Sequence, residues 1–92
     1  MNNKKMTPAY ITAIVKKCYA HRDKADALRE KIIADFELSD VDEITVDDVW
    51  FDNRDRRPED PEVRREYDLG KILNELSCAV AGFESIIEHY TK

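Results

Sequence analysis

Glycine and proline are scarce in this chain, with two of the first and three of the second in 92 residues. That scarcity excludes collagen-like and low-complexity chains and argues against an all-β domain built on many tight turns. Cysteine is equally sparse. Cys18 and Cys78 stand sixty positions apart, neither a disulfide framework nor a metal-ligand spacing, and both read as reduced, buried thiols. No segment approaches the roughly 18 consecutive apolar residues of a membrane span. The opening MNNKKMTPAY has lysines but no apolar signal region, which leaves the cytoplasm as the expected location. The string His21-Arg22-Asp23 copies part of a kinase catalytic loop, but it falls inside a helical pattern in a chain far too short for a kinase. No catalytic residue and no cofactor is predicted.

What is present is charge, at 38% of residues, together with 42% hydrophobic residues, enough for one small folded domain spanning 1–92. The net charge of −5 is unevenly placed. Residues 1–34 carry a balance of +5, residues 35–62 carry −9, and residues 63–92 carry −1. A slightly basic segment, a strongly acidic connector and a near-neutral segment follow one another.

The first segment starts at Thr7, an N-cap residue followed by Pro8, whose missing N–H would be orphaned at that position anyway. Ile11, Ile14, Cys18, Ala25, Leu28 and Ile32 then recur at helical spacing, with His21 on the same seam. A helix over about 8–37 is predicted. A second long helix, over about 61–90, opens at Asp60-Pro61-Glu62. Its seam runs through Leu69, Leu73, Leu76, Val80, Phe83, Ile87 and Tyr90, flanked every seven residues by Ile72, Ala79 and Ile86. Gly70 interrupts this helix as a kink or a close packing point.

Between them lies the acidic connector 38–60. Thr45 and Asp48 suggest a short capped helix over about 46–52, with a strand as the rival reading because Ile44, Val46, Val49, Trp50 and Phe51 favour strands. Val49, Trp50 and Phe51 are expected to fold back over the mouth of the long helices. The fold class is therefore all-α: an antiparallel helical hairpin with a short helix in its connector.

Residues 76–87, LSCAVAGFESII, contain one charged side chain. Cys78, Gly82 and Ser85 form a stripe of small residues opposite the seam, with Ala79 and Ile86 alongside. One neighbouring helix cannot cover the seam, its flank and this stripe together. A homo-oligomer, most simply a dimer with a four-helix core, is expected to use Cys78, Ala79, Gly82, Ser85 and Ile86.

Three function classes follow. The leading one is a non-enzymatic interaction protein that blocks or regulates a basic, nucleic-acid-binding or nuclease-like partner. It would act through Asp40, Asp42, Asp47, Asp48, Trp50, Phe51 and Asp52, because a field this acidic repels nucleic acid and attracts basic surfaces. Phage-encoded or defence-related inhibitors and antitoxins have this size and charge. The second is an oligomeric nucleotide or small-ligand binder using Arg22, Lys24, Arg64 and Arg65 between subunits. The third is an all-α metal-dependent hydrolase. It lacks support because the connector has no glycine for a calcium loop and neither histidine follows a glutamate at the di-iron spacing.

The stretch VWFDNRDRRPEDPEV, residues 49–63, resembles the loop and following helix start of colicin-type nuclease immunity proteins, small acidic helical inhibitors of nuclease toxins. The likeness covers fifteen residues of common loop types, and two long helices depart from their four-helix pattern. It assigns no family.

Overall fold

A computed structural model describes residues 5–92, and the first residues of the N-terminal stretch read above for a signal lie outside them. Three helices follow in chain order: α1 Pro8–Asp35, α2 Asp40–Asp52 and α3 Pro61–Thr91. Among the described residues there is no strand, which removes the strand reading of the connector.

Each helix begins where an oxygen can satisfy its orphan amides. The Thr7 hydroxyl accepts from the Tyr10 N–H at 3.2 Å, and the Asp60 carboxylate accepts from the Glu62 and Val63 amides at 2.9 and 3.3 Å. The connector helix starts at Asp40, six positions before the expected place. Ser39 caps it, accepting from Asp42 N–H at 3.1 Å, while the Asp42 carboxylate accepts from Ser39 N–H at 2.9 Å. This reciprocal pair satisfies two amides at once and so outcompetes a later start. Thr45, the expected cap, lies inside the helix and donates its hydroxyl proton to the Val41 carbonyl at 2.9 Å.

The end of α1 is a paired-hydrogen-bond stop. Leu38 N–H donates to Ile33 C=O at 3.0 Å and Glu37 N–H to Ala34 C=O at 3.1 Å, the pattern of a Schellman motif. Glu37 occupies the left-handed position at φ 51°. The turn delivers Leu38 into a cluster formed by Val46, Leu69 and Leu73 with Ile32 and Ile33. A second cluster joins Val15, Cys18 and Ile87 with Ile11, Ile14 and Phe83. The C-terminal part of α1 thus meets the N-terminal part of α3, and the start of α1 meets the end of α3.

α3 packs against both other helices, while the α1 and α2 backbones do not approach each other among the described residues. Gly70 is the reason α2 can lie so close. A Cβ there would collide with the Val46 carbonyl oxygen and stand 2.6 Å from its carbon and 2.9 Å from Trp50 Cβ. Gly70 is therefore a packing point. Val46, and not the Val49–Phe51 segment, is the buried residue of α2. Trp50 is half-buried edge-on against Tyr67, with ring centroids 5.3 Å apart, and Phe51 projects outward instead of closing over the long helices.

Three further expectations change. Cys78 is exposed while Cys18 is buried. Leu28, read as seam, is half exposed, and so is the seam's last residue, Tyr90. His21 is exposed too, with its ring stacked 5.8 Å from Phe83. No helix among the described residues is long and apolar enough to cross a membrane.

Candidate functional site: the outer face of α2

At 100° per residue, α2 divides into two sides. Val46 and Trp50 point at α3, and Glu43 reaches Arg29 of α1. Val41, Asp48, Phe51 and Asp52 point away, Asp40, Ile44 and Asp47 lie on the edge that borders α3, and all seven are exposed. Three of these are apolar and unusually open: Val41 is 70% exposed, Ile44 63% and Phe51 60%. Helix packing alone would not put them there. The Arg54 guanidinium lies 4.4 Å over the Phe51 ring.

The carboxylates around this apolar centre divide by whether they hold structure. Asp42 caps α2, and Glu43 accepts from Arg29 at 2.8 Å. Among the described residues Asp40, Asp47, Asp48 and Asp52 make no ion pair. Asp48 and Asp52 are one turn apart, a like-charge spacing that disfavours a helix by a few tenths of a kcal/mol. Asp52 also sits in the last turn, where the helix dipole repels it. The connector thus keeps unbalanced acids despite a local cost.

Beside this face opens a cleft of about 450 Å³, with Asp40, Glu43 and Asp47 on its wall and Gly70, Leu73 and Asn74 from α3 on the other side. Arg29 closes its back, donating to Glu43 and, at 2.9 Å, to the Ser77 hydroxyl. The Asp40 and Asp47 carboxylates stand on the cleft wall seven residues, about 10 Å of helix, apart.

The loop that follows is fastened to α3. Arg57 donates twice to the Asp68 carboxylate, at 3.0 and 2.6 Å, and Arg64 donates to the carbonyls of Pro58 and Glu59 at 2.9 and 3.1 Å. Hydrogen bonding by Arg57 holds the Asp68 carboxyl below its ordinary value, and hydrogen bonds from Ser39, the backbone N–H first, do the same for Asp42. Both groups are depressed in the fold. Their contributions to stability are complete above the ordinary carboxylate range and are lost as pH falls through the lower, folded values.

The four basic residues considered as a ligand set do not meet within one chain. Arg64 is engaged by the loop carbonyls. Arg65 lies over the Phe36 ring at 5.3 Å. Arg22 binds neighbouring Asp23 at 3.1 Å and lies over Tyr19, about 20 Å along α1 from Phe36 at the helical rise. Lys24 is exposed on the same stretch. Among the described residues no three His, Cys, Asp or Glu side chains gather where one metal ion could be held.

Of the residues singled out for oligomer contact, Cys78, Ala79, Gly82, Ser85 and Ile86 are all exposed, and nothing lies within 4 Å of a Cβ built on Gly82. Sequence reasoning missed Val41 and Ile44 as members of the α2 face. The signal for them was the Ser39–Asp42 capping box, which sets the phase of the helix. Comparisons with protein families, with curated proteins and with solved structures find no match for this chain.

Proposed function

We propose that this protein is a non-catalytic interaction module whose α2 outer face binds a basic protein and blocks or regulates it. In this reading α1 and α3 form an antiparallel hairpin that carries α2, and the working unit is a homo-oligomer. The observation that carries the reading is the outward apolar set Val41, Ile44 and Phe51 ringed by the unpaired Asp40, Asp47, Asp48 and Asp52. An apolar centre with a charged rim is the anatomy of a binding hot spot. The acids set the sign of the partner, because a basic surface is drawn in and a phosphate backbone is repelled. The cleft beside Asp47 then receives a lysine or arginine of that partner. A nucleic-acid-binding protein offers such a basic surface, and occupying it excludes the nucleic acid.

The test is capture on the immobilised full chain, read against two variants that leave the α3-facing side of α2 intact. A genuine partner is basic and is released progressively as salt rises. Asp47→Lys/Asp48→Lys abolishes its retention, and Phe51→Ala weakens it roughly tenfold or more, the loss expected of a central aromatic anchor. Retention unchanged by the double charge reversal, in a variant with native helical circular dichroism, would sink the proposal.

A further inference from the structure

We infer that the side of the α1–α3 pair opposite α2 is the contact surface for a second copy of this chain, joined through Leu28, Phe36, Ile72 and Ile86. This rests on the reading of the protein as an oligomeric interaction module and says which surface makes the oligomer. Gly70, the point of α2 contact, and Ile72 are separated by 200° around α3, so α2 cannot reach Ile72.

On α3 the uncovered side runs through Ile72, Ala79 and Ile86, one every seven residues. On α1 it runs through His21 and Leu28, seven residues apart, while Ile14, one heptad earlier, packs into the Val15, Cys18 and Ile87 cluster. Two contacts put these stripes on a common side: His21 stacks on Phe83, and Ile32, Phe36, Arg65 and Ile72 line one mainly apolar groove of about 430 Å³. Leu28, Ile72 and Phe36 are 48, 46 and 45% exposed, a costly display for residues at helical core spacing.

The area fits a second copy. The chain exposes 7137 Å², against about 5,500 Å² for a compact monomer of 10.8 kDa. Its radius of gyration is 17.2 Å, where about 12 Å is usual for this length. The excess of roughly 1,600 Å² is about twice what one partner contributes to a standard interface and lies in the range of obligate homodimers. Among the described residues no side chain reaches complete burial in the isolated chain. Pairing two such sides completes a four-helix core and leaves both α2 faces outward.

The experiment is light scattering on a sizing column over a dilution series, at low and high salt, for the full chain. Twice 10.8 kDa at both salts, falling by half in Leu28→Glu/Ile72→Glu and unchanged in Gly82→Leu, is the expected result. Helical circular dichroism confirms that the variant folds, with Leu28→Lys alone as a milder second case. A wild-type monomer throughout, or a dimer that survives Leu28→Glu/Ile72→Glu yet dissociates in Gly82→Leu, overturns the assignment. Failure here is separable from failure of the α2 reading. The dimer contact is apolar and salt-resistant, whereas partner capture is salt-sensitive and belongs to Asp47, Asp48 and Phe51.

Discussion

Glu37 stands in the left-handed region at φ 51°, a conformation that costs a residue with a Cβ about 1–2 kcal/mol. Its amide and that of Leu38 close the two hydrogen bonds that stop α1, so the strain is held in place by the Schellman turn. Glycine suits this position better than glutamate does. Glu37→Gly should raise stability by about 1 kcal/mol after the extra chain entropy of glycine. The check is a higher urea midpoint with an unchanged slope. Nothing in the sequence marked Glu37, because a glycine at this stop would have been the readable signal and is not there. Ser39 and Asp42 were legible as a capping pair, yet Thr45 and Asp48 present the same pattern six residues later. The two reciprocal bonds made at Ser39 and the packing of Val46 against Leu69 and Leu73 together decide between the two starts.

At the scale of elements, α1 and α3 follow from their caps and their apolar periods, and each begins at the residue its N-cap dictates. The two glycines of α3 look alike in sequence and differ in the fold. Gly70 meets the α2 backbone, and Gly82 meets nothing within 4 Å. Gly70→Ala should therefore cost about 2–3 kcal/mol as α2 is pushed away, in spite of alanine's better helix propensity. Gly82→Ala should gain about 0.5–1 kcal/mol from that same propensity. Opposite shifts of the urea midpoint are the expected outcome, and a changed Trp50 emission should accompany only the first, since Trp50 rests on Tyr67 across that contact.

For the whole molecule, the weak point is the attachment of α2, which has no backbone approach to α1. Arg29 ties the three helices together. It sits on α1, pairs with Glu43 on α2 at 2.8 Å and donates to Ser77 on α3 at 2.9 Å. Arg29 and Glu43 are both about three-quarters shielded from solvent, so the pair is worth more than a surface ion pair. Arg29→Ala should cost about 1.5 kcal/mol. Hydrogen exchange should show the loss as faster exchange of α2 amides, with the two ends of the α1–α3 pair unchanged. Uniform acceleration along all three helices would instead mean that α2 is not an independently opening unit.

The sequence by itself determined the helical class, the helix starts at Pro8 and Pro61, the acidic balance of the connector and the surplus of apolar surface on α3. All of these follow from local rules: side-chain caps, the 3.6-residue period, and formal charge. Only the tertiary structure decided which faces of those helices are covered. It placed Trp50 against Tyr67 and turned Val41, Ile44 and Phe51 outward among free carboxylates. It also left Leu28 and Ile72 open on the side α2 cannot reach. Helical spacing fixes which residues share a face. Which face meets a neighbour depends on contacts between residues distant in sequence, above all the close approach of Val46 to Gly70.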